Sequence, residues 1–253
     1  MFTKILAVVV LLLSCSTLAN KIHVKVGAGI RPPFLLADGS GMGPEILNAF
    51  NLVQTEFHFE LIPVPIGRRT MSLQEGWVDI IMWDNLNWGW DLSSGLLASK
   101  PLLHSKDFFV TSLANDKKEQ DYFDSFHNKV ICAVNGYHYK FLDYQTDYKL
   151  LKDKFNIILV RTEEESIKMA LYKRCDISVV SQSALNWFYK SNPAQRKALL
   201  ASNKLDTQYS RNFLVPPYSP ISIEELNTIY DKAQKLKLLS PIYQTYGQEL
   251  QHK

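Results

Sequence analysis

The sequence lacks a strong excess of one charge, and it lacks the common metal-binding spacings. Its 28 lysines and arginines stand against 25 aspartates and glutamates, a net charge of +3, with no basic stripe. That balance argues against a nucleic-acid partner, because a phosphate backbone requires clustered positive charge. No His-x-x-x-His or Cys-x-x-Cys spacing occurs in the chain. We therefore predict no metal ion and no cofactor.

Long apolar runs are also absent beyond the first twenty residues. One lysine precedes an apolar run from Ile5 to Leu13, which small residues follow. The run is too short to cross a membrane, which takes about 20 residues, and it has the layout of a secretory signal peptide. We predict that residues 1–19 are this signal peptide, cleaved after Ala19 to release a soluble periplasmic protein. As the alternative, the LLSC segment ending at Cys15 resembles a bacterial lipobox, which would make the protein a lipoprotein.

Cysteine is scarce in the mature chain, where only Cys132 and Cys175 remain. Disulfides persist in exported bacterial proteins, so a bridge between the two is allowed. Two buried free thiols are the other interpretation, since cysteine is among the most buried residue types. The sequence supplies no geometry, and both states stay open.

The mature chain has about 234 residues, enough for two lobes of ~100 to 130 residues each. Its first part alternates strands (KIHVKV, FHFELIPV, WVDIIMW) with helices (PEILNAFNLV, GRRTMSLQEG). This alternation is typical of an α/β unit with a largely parallel sheet. Ligands bind such sheets beyond the carboxyl ends of the strands, where RPPF and WDNLNWGWD lie.

The same pattern restarts in the second half of the chain. NKVICAV, FNIILV and CDISVVS are predicted strands, EEESIKMALYKR and QSALNWFYKS are predicted helices, and NGYHYKFL is a glycine turn leading into a helix. Two extended stretches, LHSKDFFVTS and LDTQYSRNFLV, are predicted to connect this half to the first. The C-terminal segment is predicted to be helical, with Ser222 and Glu225 at a capping-box spacing.

Several motifs in this order resemble one known family. RPPFLLADGSGMGPEI is similar to its Pro-Phe turn and helix start, and SKPLLHS to its entry into the first connection. LQEGWVDII and ALYKRCDISVV are similar to its repeated helix, Gly-x-x-Asp, strand signature, and CAVNGYHY to its glycine loop. Together these motifs resemble the periplasmic solute-binding proteins of bacterial family 3, the polar amino-acid uptake type.

The resemblance implies the type II periplasmic binding protein fold, which consists of two α/β lobes joined by two crossing strands. Such lobes close by hinge motion over a ligand held between them. We expect residues 20–105 plus 212–253 in the first lobe and residues 106–211 in the second. The resemblance also implies a small polar organic ligand, a monomeric protein, and a membrane permease or sensor as partner.

The chain departs from this family at both of its charged clamps. Members usually carry an arginine after the third strand for the ligand carboxylate, but WDNLNWGWDLSSG contains none. They usually carry an aspartate for the ligand ammonium five residues beyond the second Gly-x-x-Asp aspartate. Counted from Asp176, that position is Ser181. Because a bidentate arginine contact is strong and specific, these departures argue against ordinary α-amino acids as ligands.

We expect the first lobe to line the cleft with aromatic and charged side chains. Tryptophan faces attract cations, although Trp83 fits a core position equally well. Asp84 either faces the ligand or caps a turn. One of two neighbouring arginines is the nearest replacement for the missing clamp. The candidates in this lobe are Phe34, Arg68, Arg69, Trp83, Asp84, Trp88 and Trp90.

The second lobe contributes the glycine loop and two further positions. A glycine turn before a helix presents free backbone N–H groups, which favour an anion. An arginine just after FNIILV is a second candidate anion holder. The candidates in this lobe are Gly136, Tyr137, His138, Tyr139, Arg161 and Ser181.

Together these observations predict a binding protein that captures a small polar solute, amino acid-like or an amine, for delivery to a membrane transporter. An enzyme of the lyase or dehydratase type is one alternative, because the fold does not exclude catalysis. Asp84, Glu45 and His138 would then supply acid and base, although no nucleophile with a partner is recognisable. A partner that presents ligand to a membrane sensor is the other alternative.

Overall fold

The computed structural model describes residues 20–113 and 118–249; the predicted signal peptide, with Cys15, lies outside them. The strands and helices alternate along the chain and have the following bounds. The strands are β1 (Ile22–Ala28), β2 (Phe57–Pro63), β3 (Ile80–Asp84), β4 (Leu97–Ala98), β5 (Leu103–Ser112), β6 (Ile131–Val134), β7 (Ile157–Val160), β8 (Ile177–Ser181) and β9 (Leu199–Val215). The helices are α1 (Met42–Val53), α2 (Arg69–Gln74), α3 (Tyr148–Lys154), α4 (Glu163–Leu171), α5 (Gln182–Ser191), α6 (Ile223–Lys235) and α7 (Leu239–Thr245).

The strands form one mixed sheet in the order β2-β1-β3-β9-β5-β8-β6-β7, and β4 pairs with β9. In the first half, β1 runs parallel to β2 and β3. Helix α1 packs its apolar face, which includes Ile46 and Phe50, onto this side of the sheet. The parallel arrangement brings the ends of β1 and β3, at Ala28 and Asp84, to one edge of the sheet.

The second half repeats this arrangement, with β6 parallel to β7 and β8. Ile131, Ile177 and Val179 form part of its own apolar core. Cys132 on β6 and Cys175 before β8 are joined by a disulfide, with their Cα atoms 6.0 Å apart. Of the two states that the sequence left open, the structure therefore has the bridge.

The two halves are connected by β5 and β9, which pair antiparallel from Leu103 opposite Arg211 to Ser112 opposite Leu199. This pair corresponds to the two predicted crossing strands. Strand β9 begins at Leu199, earlier than the predicted stretch LDTQYSRNFLV, because its first residues extend the pairing with β5. The predicted lobe boundaries at 105/106 and 211/212 fall inside these two strands.

The C-terminal helices match their sequence signals. Ser222 and Glu225 cap α6 reciprocally, each side chain accepting the other's backbone N–H. Pro241 lies in the first turn of α7, as expected for a residue without an N–H to donate. Within residues 20–113 and 118–249, no helix is long and apolar enough to span a bilayer.

Candidate functional site

A cavity of about 600 Å³, counting its open mouth, lies between the two halves of the chain. Its walls come from the ends of β1 and β3, the loops that follow them, the glycine loop after β6, and the crossing strands. Guanidinium, carboxyl, imidazole and phenol groups converge on it. These polar side chains belong to Arg31, Arg69, Asp84, Asp107, Tyr137, His138, Tyr209 and Arg211.

An irregularity at the end of β3 brings two of the arginines together. The pairing of β3 with β9 shifts register between Met82 and Asp84, and Trp83 between them has φ of +66°. A non-glycine residue rarely adopts this conformation. The Trp83 carbonyl oxygen accepts from Arg31 Nη2 at 2.8 Å and from Arg211 Nη1 at 3.4 Å. The bulge therefore supplies one acceptor that both guanidinium groups share.

Aromatic rings surround the same two guanidinium groups. The centroid of the fully buried Phe34 ring lies 5.4 Å from the Arg31 guanidinium and 4.8 Å from that of Arg211. Trp88 and Tyr209 lie 5.1 and 5.0 Å from Arg211. Each such contact stabilises a cation by roughly 0.5 to 2 kcal/mol, the larger value applying where water is excluded.

Neither guanidinium group has an acidic partner. Among the described residues, no carboxylate oxygen lies within 4.0 Å of a nitrogen of Arg31 or Arg211. The Nε atoms of both are buried and have no hydrogen-bond partner, and Arg211 is only 1 % exposed. A buried cation without a carboxylate in direct contact is costly, and an anion placed between the two would lower that cost.

Arg69 and Asp84, in contrast, neutralise each other. Arg69 Nε lies 3.0 Å from Asp84 Oδ2, at an angle that makes the contact an ion pair without a hydrogen bond. Arg69 also donates to the carbonyl oxygens of Ile66 and Trp88. Asp84 Oδ1 accepts from Trp90 Nε1 at 3.0 Å. This pair fixes the loop that carries Trp88.

Asp107 on β5 is the carboxyl group of the cavity without an ion-pair partner among the described residues. It is 7 % exposed, and its Oδ1 accepts from the Tyr209 hydroxyl at 2.6 Å. Burial, and then the nearby Glu163 carboxylate, raise the pKa of Asp107 to about 7. In the β5–β8 pairing Asp107 lies directly opposite Ser181. The carboxyl group that the family pattern expects at Ser181 is thus one strand away.

The glycine loop after β6 closes the cavity from the second half. Tyr137 lies with its ring 5.7 Å from the Arg31 guanidinium. His138 Nε2 would be 3.0 Å from a Cβ placed on Gly89, so the two loops meet across the mouth. Burial, and then the charge of Arg69, lower the pKa of His138, which favours its neutral form.

The structure sorts the sequence-predicted residues into three groups. Six line the cavity: Arg69, Asp84, Trp88, Gly136, Tyr137 and His138. Three aromatic residues are buried behind it and support it: Phe34, Trp83 and Trp90. Four lie away from its wall: Arg68, Tyr139, Arg161 and Ser181.

The four residues that lie away from the cavity wall are either exposed or hydrogen-bonded to the nearby backbone. Arg68 is exposed, and the Arg161 side chain is 92 % exposed and 3.8 Å from Glu165. The buried Tyr139 hydroxyl accepts from the Val134 N–H at 3.1 Å. Ser181 caps α5 by accepting from the Ala184 N–H.

The prediction of a helix directly after the glycine turn is wrong. A single 3-10 turn, Lys140–Leu142, follows instead, and α3 begins only at Tyr148. The Lys140 and Phe141 N–H groups both donate to the Asp206 carboxylate at 2.8 Å. The anion that these N–H groups hold is therefore one of the protein's own side chains.

Sequence reasoning missed Arg31, Asp107, Tyr209 and Arg211. Tyr209 and Arg211 are two residues apart on an extended strand, so they project to the same face, which was a usable signal. Arg31 directly precedes the two prolines of RPPF, a stretch already placed at the sheet edge. Asp107 gave no local signal, because its place in the cavity depends on the pairing of β5 with β8 and β9. No cluster of three or more His, Cys, Asp or Glu side chains within residues 20–113 and 118–249 is arranged to hold a metal.

No protein-family model matches the sequence. No curated protein sequence matches it either. Solved structures do match. The ligand-binding core of GluR0 from Nostoc punctiforme, in complex with L-glutamate, is 16 % identical with a TM-score of 0.68, covering 88 % of this chain and 98 % of that one.

Two further solved structures are similar to the chain at comparable identity and coverage. The ancestral amino acid-binding protein AncCDT-1, a precursor of cyclohexadienyl dehydratase, is 15 % identical with a TM-score of 0.66, covering 89 % of this chain and 96 % of that one. The VFT2 domain of BvgS from Bordetella pertussis is 19 % identical with a TM-score of 0.60, covering 88 % and 93 %. The chain has the two-lobed α/β fold of the type II periplasmic binding proteins, which these neighbours share.

Proposed function

We propose that this protein captures a small, carboxylate-bearing polar solute in the cleft between its lobes. The observation that carries the proposal is the pair of guanidinium groups of Arg31 and Arg211, both without an acidic partner, on one cavity wall. Their free Nε–H groups can bind a carboxylate that enters between them, replacing the clamp missing after β3.

The solute is amino acid-like, with its ammonium group facing Asp107. In its ionised form this carboxyl group accepts hydrogen bonds from an ammonium group, and its Oδ1 is already oriented by the Tyr209 hydroxyl. The ligand then lies between guanidinium groups and a carboxylate, all largely shielded from water, where charge-assisted hydrogen bonds are strongest. Residues 20–105 plus 212–253 and residues 106–211 close on it as the two lobes.

The protein captures this solute in the periplasm, after the predicted signal peptide has been cleaved. It then delivers the solute to a membrane permease. A membrane sensor that receives the loaded protein is the alternative partner. A pull-down of detergent-solubilised membranes with loaded and ligand-free protein separates the two, since it recovers either a permease subunit or a receptor.

The binding proposal is tested by calorimetric titration with amino acids, their 2-hydroxy and 2-keto analogues, and simple amines. We expect a carboxylate-bearing ligand to bind the wild-type protein, with a loss of at least 100-fold in R211K. R68K is the matched control, since Arg68 is exposed and away from the cavity, and it should bind as the wild type does. Equal affinity in R211K and R68K would contradict the proposal that Arg211 binds the ligand carboxylate.

Asp107 also supports a second candidate, an enzyme on the same fold. A buried carboxyl group with a pKa near 7 in a closed cavity suits general acid–base catalysis. Asp84 is engaged by Arg69, and Glu45 accepts from the Tyr246 hydroxyl outside the cavity, which leaves Asp107 and His138 as the acid and base candidates. Mass spectrometry of each bound ligand after incubation distinguishes the two functions, since only an enzyme returns it chemically changed.

A further inference from the structure

Two histidines lie side by side on the outer face of the sheet in the first half of the chain, away from the cleft. In the parallel pairing of β1 with β2, His23 lies directly opposite His58. Both side chains are exposed. Their imidazole rings approach edge to face, with centroids 5.1 Å apart and ring planes at 66°. The two rings therefore form one surface feature, although they belong to different strands.

The packed sheet holds the two imidazoles in place. Their neighbours along the strands point the opposite way, into the core, where Val24, Phe57 and Phe59 are at most 3 % exposed. Paired strands lie about 4.8 Å apart, so the register keeps both side chains within reach of one ion. A pair of ligands on such a rigid support needs little reordering when a metal binds.

The fold itself does not use either imidazole. Within residues 20–113 and 118–249, neither ring makes a hydrogen bond or an ion pair, and their one contact is with each other. The next pair on the same face is Lys25 opposite Glu60, whose charges offset each other. The ring nitrogens of His23 and His58 are therefore available to a group from solution.

The separation of the rings matches that of two imidazoles on one zinc ion. With Zn–N bonds of about 2.0 to 2.1 Å, and about 1.1 Å from each nitrogen to its ring centroid, two rings at the tetrahedral angle would have centroids roughly 5.2 Å apart. At a right angle, as in square-planar or octahedral complexes, the centroids would be roughly 4.5 Å apart. The observed 5.1 Å agrees with the tetrahedral arrangement that zinc prefers.

We propose that His23 and His58 together bind one zinc ion on this outer face. No cluster of three or more His, Cys, Asp or Glu side chains in the described part of the chain surrounds such an ion. Water, or a donor from another molecule, therefore fills the two remaining tetrahedral positions. No His-x-x-x-His spacing marks the site, because the pairing of β1 with β2 creates it.

This site is separate from the cleft. His23 lies near the start of β1, whereas the cavity begins at Ala28, roughly 16 Å further along the strand. The zinc site therefore does not depend on the proposed function, and either can fail without the other.

Calorimetric titration of the protein, prepared without a histidine tag, with zinc chloride tests the site. We expect one zinc ion per chain, bound at least 10-fold more weakly by H23Q and by H58Q, since each variant leaves a single imidazole. H127Q is the matched control, because His127 is also exposed but has no ring contact with a second histidine. It should bind zinc as the wild type does.

Two outcomes of this titration would overturn the assignment. One is the same zinc affinity in H23Q, H58Q and H127Q. The other is a loss of half the bound ions at unchanged affinity in H23Q and in H58Q, which would mean that the imidazoles bind zinc separately.

Thermal unfolding gives an independent measurement. An ion held between β1 and β2 binds the folded chain more tightly than the unfolded one, so saturating zinc chloride should raise the Tm of wild type and H127Q but not of H58Q. Magnesium chloride should have no such effect, because magnesium prefers oxygen ligands. An equal rise in H58Q, or no rise in the wild type, would contradict the proposal.

Discussion

Arg31 and Arg211 lack a carboxylate within 4.0 Å, whereas Arg69 and Arg161 each have one. A folded chain tolerates buried cations of this kind where they bind something, because the cost of desolvation is recovered when the anion arrives. The carbonyl oxygen of Trp83 and the ring of Phe34 hold the two guanidinium groups in place until then. Among the described residues, no carboxylate oxygen lies within 4.0 Å of either guanidinium group, which makes the two arginines the strongest single sign of a ligand site.

The tryptophans of WDNLNWGWD serve three different purposes, which their spacing alone did not reveal. Trp83 is buried against Phe34, with ring centroids 4.6 Å apart. Trp88 faces the cavity and packs edge-on against Tyr209. Trp90 is buried and donates to Asp84. The segment is therefore partly cavity wall and partly support for that wall.

Asp107 should make stability depend on pH in the ligand-free protein. Because its pKa is raised to about 7, the folded protein keeps a proton that the unfolded chain releases above pH ~4. The stability that this proton provides is complete below the unfolded pKa and is lost as pH rises through about 7. Relative to wild type, D107N should gain stability between pH 4 and 7 and level off at about 1 to 4 kcal/mol.

Chemical denaturation of wild type and D107N at several pH values measures this difference. D91N is the control, since hydrogen bonds from Ser93 lower the pKa of the exposed Asp91, the opposite of the shift at Asp107. The stability difference between D91N and wild type should stay constant between pH 4 and 7. A pH-independent difference between D107N and wild type would show that Asp107 does not titrate in this range.

At the scale of elements, most strands and helices could be predicted from periodicity. The alternation in KIHVKV, the apolar run in WVDIIMW and the cap at Ser222 are local signals, and each element formed as expected. The bulge at Trp83 could not be predicted, because it results from the register between β3 and β9, which are far apart in sequence. The helix predicted after the glycine turn does not form for a similar reason. Asp206, far along the chain on β9, accepts the N–H groups that the first turn of a helix would have left free.

The capping box of α6 gives a prediction at this scale. S222A removes both the hydroxyl that accepts the Glu225 N–H and its contact with the Glu225 carboxylate. We expect a loss of about 1 kcal/mol in the free energy of unfolding, with ligand affinity unchanged because α6 does not line the cavity. S219A is the matched control, since the Ser219 hydroxyl makes only a 3.3 Å contact with the Ile221 N–H. Equal losses in both variants would contradict the capping assignment.

At the scale of the whole molecule, the two halves meet on both sides of the crossing strands. Gly89 faces His138 and Arg31 faces Tyr137 at the cleft. Behind the cleft, the C-terminal segment packs on α5, where Trp187 and Tyr246 have ring centroids 5.6 Å apart. The conformation described is thus a closed one, and affinity depends on how readily it forms.

G89A should interfere with this closure. The added Cβ would lie 3.0 Å from His138 Nε2, at a residue whose φ is +75°. We expect at least a 10-fold loss in ligand affinity, together with a larger radius of gyration by small-angle X-ray scattering of the loaded protein. G76A is the control for backbone strain, because Gly76 has φ of +70° but no atom within 4 Å of the added Cβ. If G76A lost as much affinity as G89A, strain rather than closure would explain the effect.

The central claim is that Arg31 and Arg211 hold a carboxylate-bearing small molecule between the lobes. Native mass spectrometry of wild-type protein and R211M, both purified from the periplasm and then mildly unfolded, tests it most directly. The account predicts that the wild-type protein releases a small carboxylate and that R211M carries none. The same molecule on both proteins, or a wild-type protein that neither carries nor takes up any carboxylate, would contradict it.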